Sequence, residues 1–410
     1  MGYDIKKATS EWTLEECAEY LIENTKRGKT RTTVLMNYKS MLKQLNYDDI
    51  IDNNKKYKET NLRTHIEEEY KRRIDNIKKL PLEQIVNSEE NMKYIPLKVR
   101  DPSHLTFDDN MKNTGIYLWL KGYNVEKYLG RGTFGVVWKV GNKAVKVARS
   151  DFVKGWEDEV ITIKELNRLF GDSEKAKKHL NIAKETKDDR VLEADLAKED
   201  IYQNQRKKGA LKDNKTIAST LRKSKHALKA VKFLHDAGYT HNDIKPTNML
   251  KISKNSSKVS KFDNESHKNR LQITDFGQMT KFNESPKPGS NGFLAPDWEK
   301  YDDPDKECPK AQKSISAKRD VYALGMTFLF FLFGRCYKFD EIIEISKKFK
   351  NKKTPEIYDE YVGNKGIYNG TSKKNFVAYL NIIRMMLKDN HVQRINLDSA
   401  LKLIKDLKFD

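Results

Sequence analysis

The run Tyr239-Thr240-His241-Asn242-Asp243-Ile244-Lys245-Pro246-Thr247-Asn248 constrains this chain more than any other feature. A carboxylate, an ammonium two residues on and a carboxamide three beyond that share one short loop. Such a set can hold a hydroxyl, a phosphate and a metal ion together. A single loop of this kind can arise by chance, so the weight falls on what precedes and follows it.

Upstream, Gly130-Arg131-Gly132-Thr133-Phe134-Gly135 has GxGxxG spacing. Alone it is a weak signal, because dinucleotide-binding folds use it too, with a helix after the glycines. Here Val136–Val140, Gly141-Asn142 and Lys143–Val147 read as a β-hairpin with a tight turn. Glycines let the backbone approach phosphate oxygens and present its N–H groups. Lys146 then follows in Ala144-Val145-Lys146. Downstream, Leu271-Gln272-Ile273-Thr274 reads as a strand running into Asp275-Phe276-Gly277. Beyond it lie Gly289-Ser290-Asn291-Gly292-Phe293-Leu294-Ala295-Pro296-Asp297 and Asp320-Val321-Tyr322-Ala323-Leu324-Gly325.

In this order the motifs resemble those of eukaryotic-type protein kinases, over about residues 118–408. The loop resembles the family's HRDxKxxN, Ala144-Val145-Lys146 its AxK strand, and Gly289–Asp297 the end of its activation segment, with Asp297 where Glu is usual. The resemblance implies an α+β, two-lobed kinase-like fold: a small β-rich N-lobe over about 118–195 and a larger helical C-lobe over about 196–410. It implies ATP and Mg²⁺. Gly130, Arg131, Gly132, Thr133, Phe134, Gly135 and Val137 would line the nucleotide. Lys146 would bridge its α- and β-phosphates and pair with a helix carboxylate, Glu159, with Glu157 as the alternative. Leu192-Glu193-Ala194-Asp195 resembles the segment joining the lobes. Backbone groups there would hold adenine, Leu192 would guard the pocket, and Glu193 and Asp195 fall among the nucleotide-binding residues.

By the same resemblance Asp243 would accept or orient the substrate hydroxyl proton, and Lys245 would neutralise charge developing on the transferred group. Asn248 and Asp275 would hold the metal. His241 reads as a structural hydrogen-bonding residue, and Arg394 as the buried partner of Asp297. Lys245, two positions after Asp243, and Ser290, placed to contact both, favour Ser/Thr over Tyr substrates. Asn242 departs from the family, which usually has arginine there to receive an activation-segment phosphate. That departure, with the short segment Gly277–Ala295, predicts activity without segment phosphorylation. Lys281 and Lys287 are the cations there that could substitute for the arginine.

Residues 1–112 read as a mostly helical N-terminal region ahead of a kinase domain at 113–410. Thr13 and Glu16 fit a capping box opening the stripe Leu14, Cys17, Ala18, Leu21. Val34, Leu35, Tyr38, Met41, Leu42 and Leu45 recur at helical spacing. Glu67–Leu80 reads as another helix, stopped by Pro81, and Pro96 and Pro102 mark an irregular connection. These stripes are packing surface more readily than a binding site. Trp156–Phe170 and Thr216–Ala237 read as helices, and Lys254–Arg270 as a polar surface insertion.

Cys17, Cys308 and Cys336 show no pairing or ligand spacing, which argues against a disulfide framework or zinc site. With no signal-like N-terminus, an intracellular, cytoplasmic protein is expected. Val321–Phe333 is shorter than the ~20 apolar residues that span a bilayer and reads as a buried helix. The Lys/Asn-rich make-up suits a large DNA virus or an AT-rich microbe. The net charge is +20, yet residues 1–115 carry 21 basic against 20 acidic residues, so the excess lies beyond them. A solubilising surface explains it most simply, and attraction to acidic protein substrates is the functional reading. No aromatic-interleaved basic motif points to nucleic acid. A protein serine/threonine kinase is thus expected. The rivals are a pseudokinase scaffold, which the full set Lys146, Asp243, Asn248 and Asp275 argues against, a basic nucleic-acid-associated protein with an incidental kinase fold, and a small-molecule kinase.

Overall fold

The computed structural model describes residues 68, 71–92, 95, 99, 109–132, 134–149, 153–206, 214–251, 271–282, 284–285, 287, 289–297, 309–334, 339–361 and 371–407. The helical stripes expected near Leu14 and Val34, Pro96 and Pro102, the three cysteines, Thr133 and Lys254–Arg270 lie outside the described residues. The chain divides into two compact units, Met1–Val153 with Asp188–Leu192, and Lys154–Lys187 with Glu193–Asp410. The first is β-rich and the second mainly helical, the α+β architecture expected.

In the first unit a helical stretch at 71–77 ends before Pro81. Helices α1 (Leu82–Val86), α2 (Glu89–Met92) and α3 (Asp109–Leu120) follow, then strands β1 (Val125–Arg131), β2 (Gly135–Val140) and β3 (Lys143–Ala148). The three strands form an antiparallel meander. Val136 and Trp138 on β2 and Val145 and Val147 on β3 are buried, while Val137 and Lys146 between them are only partly so. Alternation thus gives the sheet one core face and one open face. Gly141, at φ +57°, makes the β2–β3 turn.

The core of this unit crosses the boundary expected at residue 113. Ile77, Ile85, Ile95 and Val99 are buried in one cluster with Ile116, Leu118, Val125, Val136, Trp138, Val145, Val147 and Val191. Residues before 113 therefore share one hydrophobic core with the sheet. Helix α3 comes closest. Trp138 Nε1 donates to Thr114 Oγ1 at 3.0 Å, and a Cβ on Gly115 would lie 2.8 Å from the Trp138 ring.

In the second unit, helix α4 (Val153–Phe170) leads to α5 (Glu174–His179), β4 (Lys184–Glu185) and β5 (Val191–Asp195), whose first residues belong to the first unit. Next come β6 (Glu199–Asp200), α6 (Ile201–Arg206) and α7 (Asn214–Asp236). Strand β7 (Tyr239–Thr240) runs into a 3₁₀ turn at Pro246–Asn248 and then β8 (Met249–Lys251). Strands β9 (Leu271–Ile273) and β10 (Thr280–Lys281) precede helices α8 (Pro309–Phe333), α9 (Phe339–Asn351), α10 (Thr354–Tyr361), α11 (Thr371–Met386) and α12 (Leu397–Lys405). From Val321 to Phe333 every residue of α8 is buried. A helix apolar on all sides belongs inside a core, and α7, α9 and α11 pack around this one. Among the described residues no helix is long and apolar enough to cross a membrane.

Candidate active site

The loop 241–248 is fixed from beneath by one carboxylate. Asp320, on α8 and 1% exposed, accepts from His241 N and Asn242 N, both at 2.9 Å, and pairs with His235 Nε2 at 2.9 Å. Burial pushes its carboxyl up, but hydrogen bonding and charge from His235, with help from His241, hold it below the usual carboxylate range. The backbone turns sharply here, with Asn242 at φ +62°, a region asparagine tolerates better than most side chains. His241 is fully buried, its Nε2 3.2 Å from Thr274 O and its ring against Phe276, the structural role expected.

Asp243 faces four donated hydrogen bonds. Its Oδ1 accepts from Ser290 Oγ at 2.7 Å and Ser290 N at 3.1 Å, and its Oδ2 from Lys245 Nζ at 2.8 Å and Asn248 Nδ2 at 3.0 Å. Lys245 Nζ also donates to Ser290 Oγ at 2.6 Å. The sequence pattern anticipated this Asp–Lys–Ser triangle, and the structure brings all three together. Asn248 Nδ2 donates in addition to Asp243 O at 2.9 Å. Its amide nitrogen is thereby committed to Asp243, and the amide oxygen is the atom suited to a cation.

Antiparallel pairing puts Asp275 near Asn248. Met249 on β8 opposes Ile273 on β9, and Thr274 N donates to Asn248 O at 3.0 Å. Asp275 follows at φ +65°, a strained geometry often kept at functional sites. Among the described residues no cluster of three His, Cys, Asp or Glu could hold a metal by itself. One aspartate and one asparagine fit a magnesium ion held largely by substrate phosphates.

In the first unit, Val137 and Lys146 are directly paired across β2 and β3, so both sit on the partly open face. The glycine loop closes by Gly132 N donating to Gly135 O at 2.8 Å, and Arg149 N reaches Phe134 O at 3.0 Å. A Cβ on Gly135 would lie 2.8 Å from Val147 O and 3.0 Å from Lys146 Cγ, so only glycine fits beside that lysine. Around Gly130 the space is open, and Arg131 is exposed.

On α4, Glu159 is 2% exposed while Glu157 is exposed, so only Glu159 turns inward. Leu192 is buried. Glu193 is half-buried, and Asp195 is exposed, with its carbonyl accepting from Asn181 Nδ2 at 3.2 Å. Arg394 is fully buried and meets Asp297 at 3.1 Å, and His391 N donates to the same carboxylate at 2.9 Å. The sequence reading missed the roles of His235 and Asp320 under the loop and of Thr280 beside Asn242. Its one available signal was an acid, Asp320, directly ahead of the apolar run Val321–Phe333, and the structure places it inside α8.

The family profile "Protein kinase domain" matches residues 123–403, and the chain belongs to that family. Serine/threonine-protein kinase ssp1 of Schizosaccharomyces pombe is 31% identical over 138 residues, 32% of this chain and 20% of that protein. Dual specificity protein kinase TTK of Mus musculus is 25% identical over 240 residues, 55% of this chain and 26% of that protein. The chain therefore matches about a fifth to a quarter of the length of these relatives.

Proposed function

We propose that the protein is a serine/threonine kinase that transfers the γ-phosphoryl group of ATP to protein hydroxyls with Mg²⁺. The observation that carries this reading is the Asp243 carboxylate held by Lys245, Asn248 and Ser290. An acid fixed by four donors keeps its orientation while it takes up a hydroxyl proton, at little reorganisation cost. Lys245, bonded to both Asp243 and Ser290, stands where negative charge on a transferring phosphoryl group needs a cation. The Ser290 hydroxyl already donates to Asp243 and accepts from Lys245, and a substrate Ser or Thr hydroxyl needs the same partners. Asn248, through its amide oxygen, and Asp275 would hold the metal, whose part is to bridge and neutralise the β- and γ-phosphates. Lys146 would hold the α- and β-phosphates beside the Gly130–Gly135 loop.

Purified protein, labelled ATP and a peptide library test the reading. Phosphoserine and phosphothreonine products support it, and phosphotyrosine alone overturns the specificity. Lys146→Met and Asp275→Asn should each lower turnover by several orders of magnitude while the melting temperature holds. Wild-type turnover in either variant would overturn the roles given to Lys146 and Asp275, and no turnover in the wild type would favour the scaffold reading.

A further inference from the structure

We propose that Lys281 and Lys287 are positioning residues that dock the segment following Asp275-Phe276-Gly277 onto one face of α4. They would do with the chain's own cations what a phosphate–arginine contact could otherwise do. The inference rests on the kinase reading for its consequence, not for its geometry.

Three anchors lie along eleven residues. Lys281 Nζ meets Glu165 Oε1 at 3.0 Å, and the same oxygen accepts from Tyr239 OH at 2.8 Å. Lys287 Nζ meets Asp158 Oδ2 at 3.4 Å and Gly277 O at 3.4 Å. Just ahead of Lys281, Asn242 Nδ2 donates to Gln278 O at 2.8 Å and to Thr280 Oγ1 at 2.9 Å. Asp158 and Glu165 are seven residues apart, about two helical turns, and so share one face of α4. The segment's two lysines match two acids on one rigid rod. Their partnership holds Lys281 above and Glu165 below the ordinary ranges, each chiefly through the hydrogen bond to the other.

Magnitude decides how such a clamp works. One exposed ion pair contributes too little to order a segment. Two pairs and a neutral link on a short stretch act together, because each anchor shortens the free loop that the next must close. The clamp also has a target. Lys287 grips Gly277, two residues from Asp275, and Asp158, which directly precedes Glu159 on α4. Thr280 is 5% exposed and spent in the Asn242 network, so it is a poor phosphate acceptor, whereas Ser285 is exposed.

The test uses the full chain, phosphatase-treated, at low salt. Lys281→Glu, Lys287→Asp, Glu165→Lys and Asp158→Lys are compared with the swapped pairs K281E/E165K and K287D/D158K and with K281R and K287R. Turnover is measured together with hydrogen exchange of the 277–287 amides. Each reversal should lower kcat about tenfold with little change in peptide KM, and should speed exchange across 277–287. The swaps should restore both to within about threefold, and the arginine variants should stay near wild type. Phosphatase treatment and Ser285→Ala should change kcat less than twofold. Unchanged exchange in the reversals, or swaps that restore neither readout, overturns the clamp. A hundredfold loss on dephosphorylation overturns it too. If the wild type shows no turnover, the kinase reading fails, and exchange alone still decides the docking.

Discussion

At Asp320 a buried carboxylate takes three donors and so sets the backbone just ahead of Asp243. Asparagine there would keep one acceptor oxygen and turn an NH₂ against an N–H. Removing a buried charge from its partners costs about 3–5 kcal/mol, so Asp320→Asn should lower the melting temperature clearly and kcat with it. The sign with pH follows from the lowered carboxyl. The stability Asp320 contributes is present in full above the unfolded carboxylate range and is lost as pH falls through the lower, folded value. Melting of wild type and D320N across pH 7 to 3 should show the gap narrowing only at the acid end, and a constant gap would refute the account. Asp243, Lys245 and Asn248 were legible in the sequence because their spacing within one loop is itself the signal. Asp320 was visible only as the acid ahead of the apolar run Val321–Phe333, and it lies inside a helix that begins at Pro309. Its partners lie 78 residues or more away, or are backbone N–H groups that no side-chain pattern marks.

Among the elements, the β2–β3 hairpin and helices α4 and α7 follow from period and turn chemistry alone, within a few residues of the expected bounds, whereas α8 ends where expected, at Phe333, but starts at Pro309, twelve residues before the apolar run that marked it. Helix α3 does not. Gly115 and Thr114 weaken it as an isolated helix, and their purpose appears only against Trp138. Gly115→Ala sets two effects against each other. Helix propensity gains about 1 kcal/mol, while a Cβ 2.8 Å from a buried indole forces strain of about 1–3 kcal/mol. Trp138 is held in place by its bond to Thr114 and by the Tyr128 ring at 5.8 Å, so it has little room to yield. Overpacking should win, and G115A should melt below wild type. A higher melting temperature would mean that the helix shifts freely over the sheet.

At the scale of the whole molecule, a long-range field and a short-range core lead to different tests. The basic excess beyond residue 115 should favour acidic peptides, through KM more than kcat, and the preference should fade as salt shortens the Debye length to about 8 Å at 0.15 M. Equal kcat/KM for acidic and basic peptides at low salt would remove it. The core sets the boundary of what can fold. The composition shift near residue 115 suggested that 113–410 stands alone, because the earlier apolar stripes gave no sign of what they cover. The structure shows Ile77, Ile85, Ile95 and Val99 within the core cluster of the β-rich unit, each at most 4% exposed. Burying such a side chain contributes about 1.5–3 kcal/mol, so losing four removes roughly 6–12 kcal/mol. That is as large as the roughly 5–15 kcal/mol by which a whole domain is stable. A fragment starting at residue 113 should therefore be insoluble, or lose cooperative melting of its β-rich unit, and should show no turnover. A fragment starting at residue 68 keeps all four residues and should melt and turn over like the full chain. If 113–410 melts cooperatively and phosphorylates a generic substrate at the full-length rate, the helices before residue 113 are not part of the working core.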